Sequence, residues 1–236
     1  MSSVQSGGKR IAFFGGSFDP PHLGHIAVAR AARQTLRIDQ VLFAPVGLQP
    51  LKPTGPSASF EDRVAMTRLA IANDPGFELS LIDAPNSSSL KPNYTFDTLG
   101  LLRQSLPPDA QLFLLLGADS FFTLRHWHRA EEIPFLANLV VASRPSTTPK
   151  EEKDQLTEPS RYFAAGISVH PLPGQPDQYR LVNLAGEESQ LTILPGLNYD
   201  ISATQLRSQI QGHSGNQPRL LDPAVLQYIQ QHRLYQ

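Results

Sequence analysis

Leu112 to Leu116 form an unbroken apolar run, closed by Gln111 on one side and Gly117 on the other, and no other stretch constrains the fold as strongly. A run this short, apolar at every position, reads as a strand buried on both faces. Such a strand needs helices above and below its sheet. Similar β-rich runs at 11–14, 41–44, 77–82 and 138–142 alternate with helical patterns near 20–36, 60–72, 95–105 and 120–132. The alternation is a βαβ rhythm, so the expected class is α/β, with a doubly wound, Rossmann-like parallel sheet covered on both faces. Ser59 with Asp62 three residues later predicts a capped helix start, and Met66, Leu69 and Ala70 follow at helical spacing. A small C-terminal helical part over 201–236 is expected, with one helix from Ser202 to Gln211 and a last one opened by Asp222 as N-cap and Pro223 at N1.

The 236 residues suffice for one domain spanning the whole chain, 1–236. Residues 1–9 are read as a disordered lead, without the apolar core of a signal peptide. From 145 to 190 the pattern fades into an irregular insertion, polar and proline-rich, with two weak strand candidates near 167–171 and 179–184. It is read as a solvated excursion, with a lid or a homo-oligomer contact as alternatives.

Twenty Lys and Arg against 21 Asp and Glu leave a net charge of −1, so no global field recruits nucleic acid or an anionic membrane. An anionic ligand must be held locally. There is no cysteine, hence no disulfide, thiolate metal site or thiol nucleophile, and a cytoplasmic setting is expected. The apolar runs are too short to span a bilayer.

Where an anion would bind is suggested by GGSFDPPHLGH at 15–25. The strand Ile11–Phe14 ends in Gly15 and Gly16, which permit close backbone approach, and Asp19 with Pro20 predicts an N-cap and first helical residue. His22 and His25 then stand at i and i+3 on the first turn, separated by Gly24, beside the positive end of the helix. A lone histidine there would ordinarily be a capping or surface residue. Two of them after a glycine-ended strand can flank a bound anion at the carboxyl end of the sheet. A second motif, ISATQLR at 201–207, places Ser202 and Thr204 at a helix start and Arg207 one turn further in. Two helix N-termini and a bidentate guanidinium can neutralise a triphosphate without a nucleophile.

Together these motifs resemble the HxGH nucleotidyltransferase superfamily, and within it the nicotinate-nucleotide adenylyltransferases. NYTFDTL at 93–99 resembles that family's SYTxDTL, LGAD at 116–119 its GxD, the RHWHRAEEI run its tryptophan segment, and VVASRP at 140–145 its RPG strand end. The resemblance implies transfer of the adenylyl group of ATP to nicotinate mononucleotide, giving deamido-NAD and pyrophosphate. His22, His25, Lys52 and Arg207 would be the catalytic charges, Lys52 matching the lysine of a PHK element. Gly15, Gly16, Ser17, Phe18, Gly24, Gly117, Asp119, Ser202 and Thr204 would bind ATP. Trp127 would stack on the nicotinate ring, with Thr95 and the backbone near His128 holding its carboxylate. Mg²⁺ would arrive with ATP, and no protein metal site is implied. Leu51 for the PHK histidine, Asn93 for serine, and a longer SSSLKP link depart from the family pattern.

Three rivals remain at this level: a nicotinamide-mononucleotide or pantetheine-phosphate adenylyltransferase, a cytidylyltransferase, and a catalytically silent nucleotide sensor. A redox Rossmann protein is disfavoured because GxGxxG does not follow the first strand, and no GxxxxGK[ST] loop occurs.

Overall fold

A computed structural model describes residues 8–48, 55–85, 92–143, 156, 158–194, 202–212 and 219–236. Its eight strands are β1 (Arg10–Gly16), β2 (Gln40–Pro45), β3 (Phe77–Leu79), β4 (Gln111–Gly117), β5 (Asn138–Ala142), β6 (Ser168–Leu172), β7 (Gln175–Val182) and β8 (Glu188–Leu194). They form one sheet in the order β3-β2-β1-β4-β5-β8-β7-β6. The six from β3 to β8 run parallel, while β7 pairs antiparallel with both β8 and β6.

Period-two side-chain alternation divides the apolar runs between two cores. Ala12, Phe14, Phe113, Leu115 and Val140 enter one core. Ile11, Phe13, Leu112, Leu114, Leu116, Leu139 and Val141 enter the other. The first core is covered by α1 (Leu23–Leu36), α2 (Phe60–Ile71), α6 (Ala203–Gln211) and α7 (Pro223–Gln231), through Ile26, Met66, Leu206 and Val225. The second lies under α3 (Thr95–Ser105), α4 (Ala118–Phe122) and α5 (Ile133–Leu136), through Leu99, Phe121 and Ile133. The sheet is thus wound on both faces, as LFLLL requires.

Three expectations need correction. Helix α1 begins at Leu23 with His22 as its N-cap, not at Pro20 with Asp19 as the cap. Asp19 is taken up by distant partners described below, and tertiary bonds outweigh the local cap. Of the helical pattern at 120–132, the end of α4 and a 3₁₀ turn at Leu124–His126 are helical, the rest is turns, and α5 begins only after it, at Ile133. Finally, the stretch at 145–190 is not irregular throughout. Both weak strand candidates are strands, and they extend the sheet past its last parallel member. Their apolar signal is faint because β6 and β7 bury little beyond Tyr179 and Leu181. Gly174 (φ 73°) and Gly186 (φ 82°) supply the left-handed residues in the two hairpin turns. Residues 1–7 of the proposed lead lie outside the described residues.

Candidate active site

In an open α/β sheet a ligand crevice opens where neighbouring strands send their following helices to opposite faces. Strand β1 leads to α1 on the first face, and its neighbour β4 leads to α4 on the second. Gly15, Gly16 and Gly117 therefore end the two strands flanking this switch. A side chain on Gly117 would meet no atom within 4 Å, whereas one on Gly16 would press against the Phe18 ring at 3.3 Å.

The loop after β1 is fixed from several directions. Phe18 is buried at φ 48°, a rare conformation for an aromatic residue, with its ring edge-on to His25 at 5.0 Å. Ser17 O accepts a 2.7 Å bond from Arg63, a fully buried arginine whose pKa burial lowers, against the pull of the Asp19 charge. The Asp19 carboxylate accepts the backbone N–H groups of Ser57 (2.6 Å) and Ala58 (3.1 Å) and the hydroxyl of Tyr235 (2.7 Å). Burial and the bond to Asp19 push the Tyr235 pKa up, so this hydroxyl stays protonated and donates.

Three residues on, His22 and His25 face each other with ring centroids 3.8 Å apart and planes tilted by 33°. The His22 N–H donates to His25 Nδ1 at 3.1 Å. That bond makes Nδ1 an acceptor and leaves the proton of a neutral His25 on Nε2, the atom suited to donating to an anion. Gly24, between them in sequence, is buried, and the first amide of α1, Leu23 N–H, is taken up by Leu220 O at 2.9 Å.

Arg207 joins this group from the far end of the chain. Its guanidinium donates to Asp19 O at 2.7 Å, lies 3.7 Å from Asp19 Oδ2, and donates to Thr204 Oγ1 at 3.1 Å. Ser202 caps α6 by accepting Gln205 N–H at 3.2 Å. The hydroxyls of Ser202 and Thr204 thus hold α6 and Arg207 in place. Asp119 is exposed on the first turn of α4. Lys52 and Leu51 lie outside the described residues, as do Arg144 and Pro145 of the VVASRP run.

Thr95, Trp127 and His128 lie at the start of α3 and just after the Leu124–His126 turn. Thr95 is the first residue of α3, and the ring of its neighbour Tyr94 lies against His128 at 4.5 Å. Arg129, in a left-handed conformation (φ 53°), places its guanidinium 3.7 Å over the Phe96 ring and pairs with Glu132. Trp127 is half-buried against the second core, and its indole N–H reaches Thr123 Oγ1 at 3.3 Å. Asn93, the departure from the serine pattern, exchanges bonds with Leu48 and donates to Ala84 O, tying the start of α3 to the loop after β2.

Four residues near these groups carry no functional signal in the sequence. Asp19 has the sequence signature of a helix cap, and Arg63, Tyr235 and Asp83 carry no motif. Asp83 is buried, with its Oδ2 3.8 Å from the place a Gly15 side chain would take, and it accepts a bond from Thr98 on α3. Burial raises its pKa to about 6, although the Thr98 bond works in the opposite direction.

Residues 13–209 match the family model described as Cytidylyltransferase-like. Over 230 residues the chain is 36% identical to the curated "Probable nicotinate-nucleotide adenylyltransferase" of Gloeobacter violaceus, covering 97% of each chain. It is 38% identical over 232 residues to the protein of the same name from Laribacter hongkongensis, covering 95% of this chain and 94% of that one. The chain belongs to the nicotinate-nucleotide adenylyltransferase family. A solved member, the Plasmodium falciparum nicotinic acid mononucleotide adenylyltransferase complexed with NaAD, shares the fold at a TM-score of 0.68 and 19% identity, covering 96% of this chain and 97% of that one. Among the described residues of this family member, no cluster of three or more His, Asp or Glu is arranged to hold a metal ion. No described helix is long and apolar enough to cross a membrane.

Proposed function

We propose that this protein transfers the adenylyl group of ATP to the 5′-phosphate of nicotinate mononucleotide, forming deamido-NAD and releasing pyrophosphate. The observation that carries the reading is the convergence of His22, His25 and Arg207 on one loop at the β1–β4 switch, Arg207 coming from 188 residues away to bind Asp19. Family membership over nearly the whole chain supports it.

The attacking phosphate is already an anion at neutral pH, so the reaction needs alignment and charge neutralisation more than an activated nucleophile. His25 Nε2–H acts on the α-phosphate as negative charge builds there. His22 and Arg207 bear on the remaining phosphates, Arg207 toward the leaving pyrophosphate, and Lys52 adds a mobile charge. Gly15, Gly16, Ser17, Phe18 and Gly24 let the backbone approach the nucleotide, while Gly117 and Asp119 lie beside the ATP nucleoside. Ser202 and Thr204 support the phosphate end through α6. Mg-ATP is the substrate, its ion held by the triphosphate and adding charge neutralisation. Trp127 stacks on the electron-poor pyridine ring, and Thr95 with the backbone at His128 receives its carboxylate. The absence of cysteine supports a reducing, cytoplasmic setting.

The experiment is to follow pyrophosphate release from Mg-ATP with nicotinate mononucleotide, nicotinamide mononucleotide or phosphopantetheine. Fastest release with the first is expected. Preference for the amide or for phosphopantetheine would replace the proposed acceptor, and no release with any would favour a nucleotide sensor.

A further inference from the structure

Tyr235 is buried, yet it sits in a backbone conformation that aromatic residues seldom adopt, φ 63°. Arg233, two residues before it, is also left-handed at φ 51°, so the turn after α7 holds two strained non-glycine residues. Strain of this kind persists only where the surroundings over-determine it. Here the surroundings are identifiable. Leu234 N–H returns to Ile229 O at 3.0 Å, Tyr228 on α7 donates to Asp62 of α2 at 2.9 Å, and the Tyr235 hydroxyl ends on Asp19 Oδ1 at 2.7 Å.

Asp19 is where this turn meets the phosphate site. One carboxylate oxygen, Oδ1, receives Tyr235 and Ala58; the other, Oδ2, receives Ser57 and faces Arg207. The carbonyl of the same residue receives Arg207 directly. A buried carboxylate held by several donors has little rotational freedom, and its charge sets the guanidinium's resting place. We propose that Tyr235 is a positioning residue of the phosphate site: its hydroxyl fixes the Asp19 carboxylate, and Asp19 fixes where Arg207 stands relative to His22 and His25. The proposal rests on the reading of Arg207 as a ligand of the ATP phosphates. Tyr235 itself touches no substrate in this scheme.

A double-mutant cycle tests it, with Tyr235→Phe and Arg207→Ala made singly and together. Mg-ATP affinity is measured by calorimetry and the KM for each substrate in the pyrophosphate assay. Losing one hydrogen bond to a charged group is expected to weaken Mg-ATP binding about tenfold in Tyr235→Phe, and to raise the KM for ATP but not that for the mononucleotide. In the Arg207→Ala background the same change is expected to cost less than about twofold, because the group it positions is gone. Asp19→Asn, which keeps the side-chain shape, is expected to follow Tyr235→Phe. Equal losses in both backgrounds, or both KM values rising together, would mean a general structural role and overturn the proposal alone. Unchanged ATP binding in Arg207→Ala would remove the reading beneath it and overturn both.

Discussion

His25 carries the most specific chemical assignment at the scale of single residues. Its Nδ1 is engaged by the His22 amide, which leaves the proton of the neutral ring on Nε2, the atom proposed to meet the phosphate. Replacing His25 with Ala is expected to lower kcat at least about 10²-fold with a modest change in ATP affinity, the scale of losing one donor to a developing oxyanion. A kcat within a few-fold of wild type would refute the assignment. Asp83 makes a different prediction, on stability. Its folded pKa of about 6 stands above the ordinary 3.8, so the fold favours the protonated acid. The stabilisation is complete below pH 3.8 and is lost as pH rises through 6. Asp83→Asn, which cannot ionise, should therefore gain on the wild type by about 2 kcal/mol between pH 4.5 and 7.5, measured by urea unfolding. A difference independent of pH would show that Asp83 ionises freely in the fold.

Helix α6 is the element that carries Arg207, and Leu206, wholly buried beside it, anchors that helix in the first core. Leu206→Ala is expected to cost about 2–5 kcal/mol in urea unfolding and also to weaken Mg-ATP binding, since the helix would settle differently. Full ATP affinity in a destabilised variant would show that α6 does not set the guanidinium. Sequence legibility follows the same division. Strands β1, β4 and β5 were readable because continuous apolar runs admit few other fates, and α6 and α7 because Ser202 and Asp222 with Pro223 are local caps that the structure uses. Antiparallel β6 and β7 were faint because hairpin strands with one exposed face bury few side chains. The start of α1 was misplaced because Asp19 has the local chemistry of a cap, but its partners come from Ser57, Ala58, Arg207 and Tyr235. Long-range partners of this kind leave no periodic trace, which is also why Tyr235, Arg63 and Asp83 escaped notice. Among the proposed site residues, the two histidines and Arg207 are legible because they sit in compact motifs.

For the molecule as a whole, the topology bears on where the proposed chemistry would lie. The winding of the parallel strands reverses between β1 and β4, the place where open α/β sheets take up ligands, and chain segments 188 residues apart meet on the loop beside it. The proposed reaction aligns two phosphates at this switch and neutralises them, with direct in-line attack and no covalent enzyme intermediate. The stereochemical course at the α-phosphorus tests that claim most directly, using ATP made chiral there by a single sulfur and nicotinate mononucleotide as acceptor. A deamido-NAD analogue with inverted configuration is expected, from one displacement. Retention would require two displacements through an adenylylated side chain, and would contradict it.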